Sequence, residues 1–164
     1  MDLLHESRVD LVIDVRSIPR SRTNPQFNAD ALPVALAEWQ IGYVHLAELG
    51  GLRGRKRSAE PSPNGYWRVM SFRNYADYAL TAPFAEGLAQ LRELGQQHRC
   101  AIMCAEAVWW RCHRRIITDY LLAAGEEVQH ILAPGHVDTA SLTPGAIVRD
   151  DGKVIYPAAD LPSA

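Results

Sequence analysis

Residues 99–125 read RCAIMCAEAVWWRCHRRIITDYLLAAG, and the change of pattern inside this stretch decides the fold. "RCAIMCA" is a short apolar run bounded by polar residues, the pattern of a buried strand. "CHRRIITDYLLAAG" has helical periodicity and closes at Gly125, a residue suited to the left-handed position that ends a helix. A strand that feeds a helix is half of a β–α–β unit, and the alternation recurs along the chain.

Upstream, "DLVIDV" (10–15) reads as a strand, followed by the loop "RSIPRSRTNPQFN" with Pro19 and Pro25. Asn28 or Asp30 is placed to cap a helix through "ALPVALAEWQ", with Leu32, Leu36 and Trp39 as its apolar stripe and Pro33 confined to its first turn. "GYVHL" is a second strand. A Gly/Pro/Ser-rich basic loop follows from Ala47 to Ser71, long enough to expect a function of its own. "SFRNYADYAL" and "PFAEGLAQLRELGQQ" read as two helices, the second with Phe84, Leu88, Leu91 and Leu94 facing a core. Downstream, "EVQHIL" is a fourth strand and "APGHVDTASLTPG" a turn. "AIVRD" and "KVIYP" flank Asp151-Gly152, a strong hairpin signal. The expectation is an α/β fold in a single domain over 1–164. It has a mostly parallel central sheet flanked by helices, a C-terminal β-hairpin and a loose tail at 158–164.

Composition narrows the function classes. The chain has 164 residues, 48% hydrophobic and 22% charged, ordinary values for a globular domain. No apolar run is long enough for a membrane span, so no membrane partner is expected. "MDLLHESRVDLVIDV" lacks the features of a secretory signal. Three cysteines give no disulfide framework, so a cytoplasmic protein with reduced thiols is expected. The net charge of −2 argues against a general nucleic-acid coat. Charge is nonetheless segregated: nine basic residues face four acidic ones between Arg16 and Arg73.

Ligands of open parallel sheets bind beyond the carboxyl ends of the strands. Those ends deliver Asp14 and Arg16, then His45 and Glu48 before Gly50-Gly51, then Cys104 and Glu106, then Pro134-Gly135-His136. The helix after the third strand opens with Arg111, Arg114 and Arg115, where cations are disfavoured by about 0.3–1 kcal/mol each. A negative group must offset them: Glu106, Asp14, Glu48 or a bound anion. Cys104 is either a buried small hydrophobe or, beside a helix start and arginines, a nucleophile with a lowered pKa. His113 is a candidate acid or base. Cys104, Cys112 and His113 could also hold a metal, with His45 or His136 as a fourth ligand, but the spacing is not the close pair of structural zinc, so no metal is expected. Trp109 and Trp110 read as core, or as a rim on which a planar group stacks.

"DVRSIPRSRTNPQF", "YVHLAELGG", "SFRNYADYAL", "MCAEAVWWRCHR" and "HIL…PG" together resemble the family known as domain of unknown function 488, over about Leu11 to Pro157. The resemblance implies a small α/β protein and carries no established reaction or cofactor. Its motif residues fall on Asp14, Arg16, Arg22, Asn24, Pro25, Phe27, His45, Glu48, Leu49, Gly50, Phe72, Tyr75, Cys104, Glu106, Arg111, Cys112, His113 and Arg114. It further implies a strand and helix ahead of "MDLLHES", whose lack is expected to leave "DLVIDV" without a neighbour on one side and the chain prone to associate.

Two classes of function follow. The first is an enzyme or enzyme-like pocket for an anionic ligand, phosphorylated or of nucleotide type, at the carboxyl edge of the sheet. Arg16, Arg111 and Arg114 would bind the anion, Glu48, Glu106 and His45 would move protons, and Cys104 would be the nucleophile. The second is a non-catalytic module that binds nucleic acid or protein through the basic loop 53–57.

Overall fold

A computed structural model describes residues 1–55 and 57–159. Lys56 of the basic loop, and residues 160–164 of the expected tail, lie outside the described residues. In chain order the helices are α1 (Asp2–Glu6), α2 (Leu32–Ala37), α3 (Met70–Tyr78), α4 (Ala82–Gln97) and α5 (Arg114–Ala123). The strands are β1 (Leu11–Asp14), β2 (Gly42–His45), β3 (Cys100–Met103), β4 (Gln129–Ala133), β5 (His136–Thr139), β6 (Ile147–Val148) and β7 (Val154–Ile155). Among the described residues no helix is long and apolar enough to cross a membrane.

The fold is α/β, built on a three-stranded parallel sheet in the order β2-β1-β3. β1 is central, and every residue of "LVID" is buried, which is why it reads as an unbroken apolar run rather than an alternation. Leu11, Ile13 and Val15 face one core with Phe84, Leu91, Ile116, Ile117, Val154 and Tyr156. Val12 faces the other, with Leu32, Leu36 and Ile41. Side chains alternate across a strand, so one short run ties helices to both faces. The expectation that this strand lacks a neighbour is corrected: β2 and β3 pair with it on either side. The register matches Asp14 to His45 and to Met103, so all three carboxyl ends fall on one edge.

Elsewhere the structure departs from the reading of the sequence. β4 does not join the parallel sheet but pairs antiparallel with β5, whose residues read as turn. Pro134-Gly135 makes the two-residue connection, with Gly135 at φ +66°, and so short a link can join only antiparallel strands. Neither Asn28 nor Asp30 caps α2; Asn28 Oδ1 instead accepts from the Ser21 N–H at 2.6 Å. Trp39 lies beyond that helix and is 45% exposed. The stripe on α4 is present, with Phe84 and Leu91 buried. α5 ends at Gly125 with the Glu126 N–H on the Leu121 carbonyl and the Gly125 N–H on that of Leu122, the paired bonds of a Schellman motif. β6 and β7 form the expected hairpin, with Gly152 at φ +82°.

Candidate functional site

His113 is the most tightly held side chain at the carboxyl edge. Its Nε2 lies 2.8 Å from the Val15 carbonyl, just past the end of β1. A carbonyl only accepts, so Nε2 carries a proton, and in the neutral ring Nδ1 then keeps its lone pair. Nδ1 faces two sulfurs, Cys112 Sγ at 3.5 Å and Cys104 Sγ at 4.0 Å. Tyr75 of α3 packs on the ring at a centroid distance of 4.9 Å. Gly51 covers the ring as well. A Cβ built on it would lie 2.4 Å from Nδ1 and nearly equally far, 2.8 and 2.9 Å, from Cε1 and Cγ. That near-equality puts the glycine over the face of the ring and leaves the in-plane lone pair of Nδ1 for the sulfurs.

The Gly50-Gly51 pair is thereby explained. A Cβ on Gly50 would meet Ser17 backbone at 2.7 Å, while the Ser17 hydroxyl accepts the Leu52 N–H at 2.9 Å. The loop threads between Ser17 and His113, and only backbone fits there. Tyr75 fixes it from below by donating to the Leu49 carbonyl at 2.7 Å.

The two thiols are opposite in character. Cys104, half-buried after β3, is pushed up to about 12 by its hydrogen bond to Cys112 and by burial. Cys112, fully buried, is brought down to about 6 by the hydrogen bond from Cys104, against burial, with help from Arg114. The lowered pKa that the nucleophile reading expects of Cys104 falls instead on Cys112, chiefly through the bond between the two thiols and with help from Arg114. The Arg114 backbone N–H lies 3.5 Å and its Nε 3.3 Å from Cys112 Sγ.

The same contacts answer the charge question at the start of α5. The sulfur of Cys112 accepts the first N–H of α5 and offsets Arg114. Arg114 also donates from Nη2 to the Glu106 carbonyl at 2.5 Å. Arg115 Nε donates to Thr143 Oγ1 at 3.1 Å, with its guanidinium over Trp67. Arg111 is exposed, and among the described residues its side chain has no hydrogen-bond partner.

Arg16 is not free for an anion. Its Nε and Nη2 grip both oxygens of Asp14, at 2.8 and 2.6 Å, and Nη2 also donates to the Phe27 carbonyl at 2.7 Å. Tyr43 donates to Asp14 Oδ2 at 2.6 Å, and burial with that bond raises the phenol to about 12. Burial pushes the Asp14 carboxyl up, but the Arg16 and Tyr43 bonds outweigh it, so the net shift is downward. His45 Nε2 lies 2.7 Å from the Arg16 carbonyl and so steadies the same segment.

Two groups therefore form at the edge, Asp14–Arg16–Tyr43–His45 and Cys104–Cys112–His113–Arg114. The proposed proton carriers Glu48 and Glu106 are exposed, and Glu106 Oε1 accepts only the N–H of adjacent Ala107. Arg22 and Asn24 are exposed on the loop, where the Asn24 N–H donates to Ser21 Oγ. Trp109 and Trp110 are not core: Trp110 is 47% exposed, and Trp109 stacks on His130 at 3.8 Å with 4° between the planes. Arg53 of the basic loop is tied to the carbonyls of Gly50, Ala47 and Glu48 and lies over the Tyr78 ring at 3.7 Å. Tyr43, Ser17 and Gly51 went unread as site residues. The doubled glycine just past a strand end was the available signal for Gly51.

Cys104, Cys112 and His113 each offer one ligand atom, and these lie within 4.8 Å of one another. Among the described residues no fourth Cys, His, Asp or Glu joins them. The seven-residue gap that argued against a metal is closed by the 3₁₀ turn Trp109–Arg111, which folds Cys112 back onto Cys104.

The fold and this edge define a small α/β protein with a Cys–Cys–His cluster at the carboxyl end of a parallel sheet. The chain belongs to the family described as "Domain of unknown function DUF488", whose family model matches residues 1–121. The match covers β1 to β3 and most of α5, and with them every residue of both groups. No curated protein and no solved structure matches the chain.

Proposed function

We propose that the chain is an enzyme-type protein whose reactive element is a metal centre formed by Cys104, Cys112 and His113. The observation that carries this reading is the spacing of the ligand atoms. Zinc bonds of about 2.3 Å to sulfur and 2.0–2.1 Å to nitrogen, at tetrahedral angles, hold sulfur and nitrogen about 3.6 Å apart. The two sulfurs lie 3.5 and 4.0 Å from Nδ1. The second contact of the imidazole supports the same reading, since a ligating histidine donates its other N–H to a carbonyl or carboxylate. Val15 supplies that carbonyl.

Three protein ligands with a fourth position open is the arrangement of catalytic rather than structural zinc. Water or an anionic oxygen of a substrate suits the open position, where the metal polarises it. Arg111, adjacent to Cys112 and exposed, is the cation available beside such an anion. The alternative, a nucleic-acid or protein-binding module on the basic loop, loses Arg53, which the fold engages.

Metal analysis of protein purified without chelator tests the proposal, followed by cobalt titration of the stripped chain. One metal per chain is expected, with the thiolate charge-transfer and intense visible bands of tetrahedral cobalt. Both are lost in Cys112→Ser and weakened in Cys104→Ser and His113→Ala. A wild type that binds no metal, or a cobalt spectrum unchanged by Cys104→Ser, overturns it.

A further inference from the structure

The basic loop that the edge site leaves unused encloses a cavity of its own. Arg53 clamps one end of this segment. Asn64, fully buried, clamps the other by donating to Asp77 at 2.7 Å and accepting the Tyr156 N–H at 3.0 Å. Between these anchors the loop arches over α3 and leaves a volume of about 810 Å³. Three arginines from separate elements line it: Arg55 of the loop, Arg73 of α3 and Arg149 before the β6–β7 turn. Among the described residues none of the three forms a salt bridge. Arg73 Nε is buried without a hydrogen-bond partner among the described residues.

The acids of the wall, Asp77 and Glu60, balance two of the three charges in number, but among the described residues neither forms an ion pair with an arginine. Asp77 Oδ1 already accepts from Ser62 and Asn64, at 2.5 and 2.7 Å. Glu60 is exposed on the loop and pairs with no arginine among the described residues. Three guanidinium groups against two carboxylates leave the concavity net positive, and a buried donor left unbonded, here Arg73 Nε, is costly. Both penalties vanish if an anion with several acceptor oxygens occupies the space.

We propose that this cavity is a binding site for a phosphorylated small molecule, independent of the metal reading. Guanidinium forks match the paired oxygens of a phosphoryl group, and the Asn74 amide on the wall, which donates to the Arg53 carbonyl at 3.3 Å, has a second N–H. The volume lies within the range of about 300–1,000 Å³ typical of small-ligand sites. It therefore admits an organic phosphate up to the size of a mononucleotide. A concave site closed by a loop suits a single small anion better than a polymer backbone.

Calorimetric titration of the full chain with pyrophosphate and with adenosine 5′-monophosphate tests this. Saturable binding is expected for both, and none for adenosine. Arg73→Gln is expected to weaken binding at least about tenfold, the loss of one charge-assisted bond. Arg73 is half-buried, so Arg55→Ala/Arg149→Ala, which alters only exposed residues, is expected to show a comparable loss with an unchanged melting temperature. His113→Ala is expected to bind the phosphates as wild type does. Equal affinity in wild type and both arginine variants overturns the proposal. So does loss of binding in His113→Ala alone, or binding confined to a single-stranded oligonucleotide with a steep salt dependence.

Discussion

Replacing Gly51 with alanine tests whether the glycine pair exists to position His113. Gly51 does not occupy a positive-φ conformation, so the backbone accepts alanine and any effect arises from the methyl group. That methyl would lie 2.4 Å from Nδ1, whereas ordinary contact begins near 3.4 Å. The ring must therefore retreat by 3.4 − 2.4 = 1.0 Å. It has no room to do so, because Tyr75 packs against it and Nε2 is bonded to Val15 at 2.8 Å. Overpacking costs about 1–3 kcal/mol, and stretching the Val15 bond adds about 0.5–1.5 kcal/mol. A total of about 2–4 kcal/mol lowers the melting temperature by roughly 5–15 °C for a chain of this size. Calorimetry of wild type, Gly51→Ala and Gly54→Ala provides the measurement. Gly54 has nothing within 4 Å of a built Cβ, so its alanine variant is expected to be unchanged or stabilised by about 0.4–1 kcal/mol. Cobalt affinity is expected to fall in Gly51→Ala and not in Gly54→Ala. A Gly51→Ala protein that melts with the wild type refutes the steric account.

Asp14→Asn leaves Arg16 buried beside a neutral amide and is expected to cost about 3–5 kcal/mol in urea unfolding. The depressed Asp14 pKa gives a contribution present above the unfolded value of about 3.9 and lost as pH falls through the lower folded value. Urea midpoints below about pH 4 should thus fall more steeply for wild type than for Asp14→Asn, and parallel curves would count against the pairing. Asp119 works in the opposite sense: burial raises it although Thr143 and Tyr156 donate to it, so its contribution is present below the unfolded value and lost as pH rises through the folded one. Tyr156→Phe removes the 2.8 Å bond to Asp119 Oδ2 and is expected to cost about 1–3 kcal/mol. Arg53→Ala should cost about 2 kcal/mol through its carbonyl and ring contacts. Arg55→Ala should stay within about 0.5 kcal/mol, and equal effects would contradict the distinction between the two arginines.

The parallel sheet was legible because β1, buried on both faces, is apolar up to Asp14 at its carboxyl end, and the flanking helices carry clear stripes. β4 and β5 were misread because "HVDT" is exposed along its whole length and so bears no burial pattern. The Asp14–Arg16 pair was legible in principle. Side chains two apart on an extended chain point the same way, so a carboxylate and a guanidinium at that spacing reach each other before any ligand does. The thiol cluster was not legible by ligand spacing. Seven residues separate the cysteines, and only the 3₁₀ turn, with Arg114 drawn back to Cys112, brings them together.

The arginines at the start of α5 show how a charge argument can be sound in form and miss its partner. Cations at a helix start require an offsetting negative group, and the carboxylates nearby were the obvious choices. The structure supplies instead the sulfur of Cys112, which caps the Arg114 N–H and takes its guanidinium. A thiol is counted as neutral in a formal charge, so the sequence presents three cations where the fold sets one of them, Arg114, against a sulfur. That sulfur also lies 3.5 Å from Nδ1 of His113, with Nε2 of the ring fixed on β1. The sulfur that accepts from Arg114 at the start of α5 is thus also a sulfur of the candidate metal centre, and the two are one structural feature. Substituting Cys112 should therefore destabilise α5 even in metal-free protein, whereas Cys104→Ser, which leaves the cap in place, should weaken the metal and spare the helix.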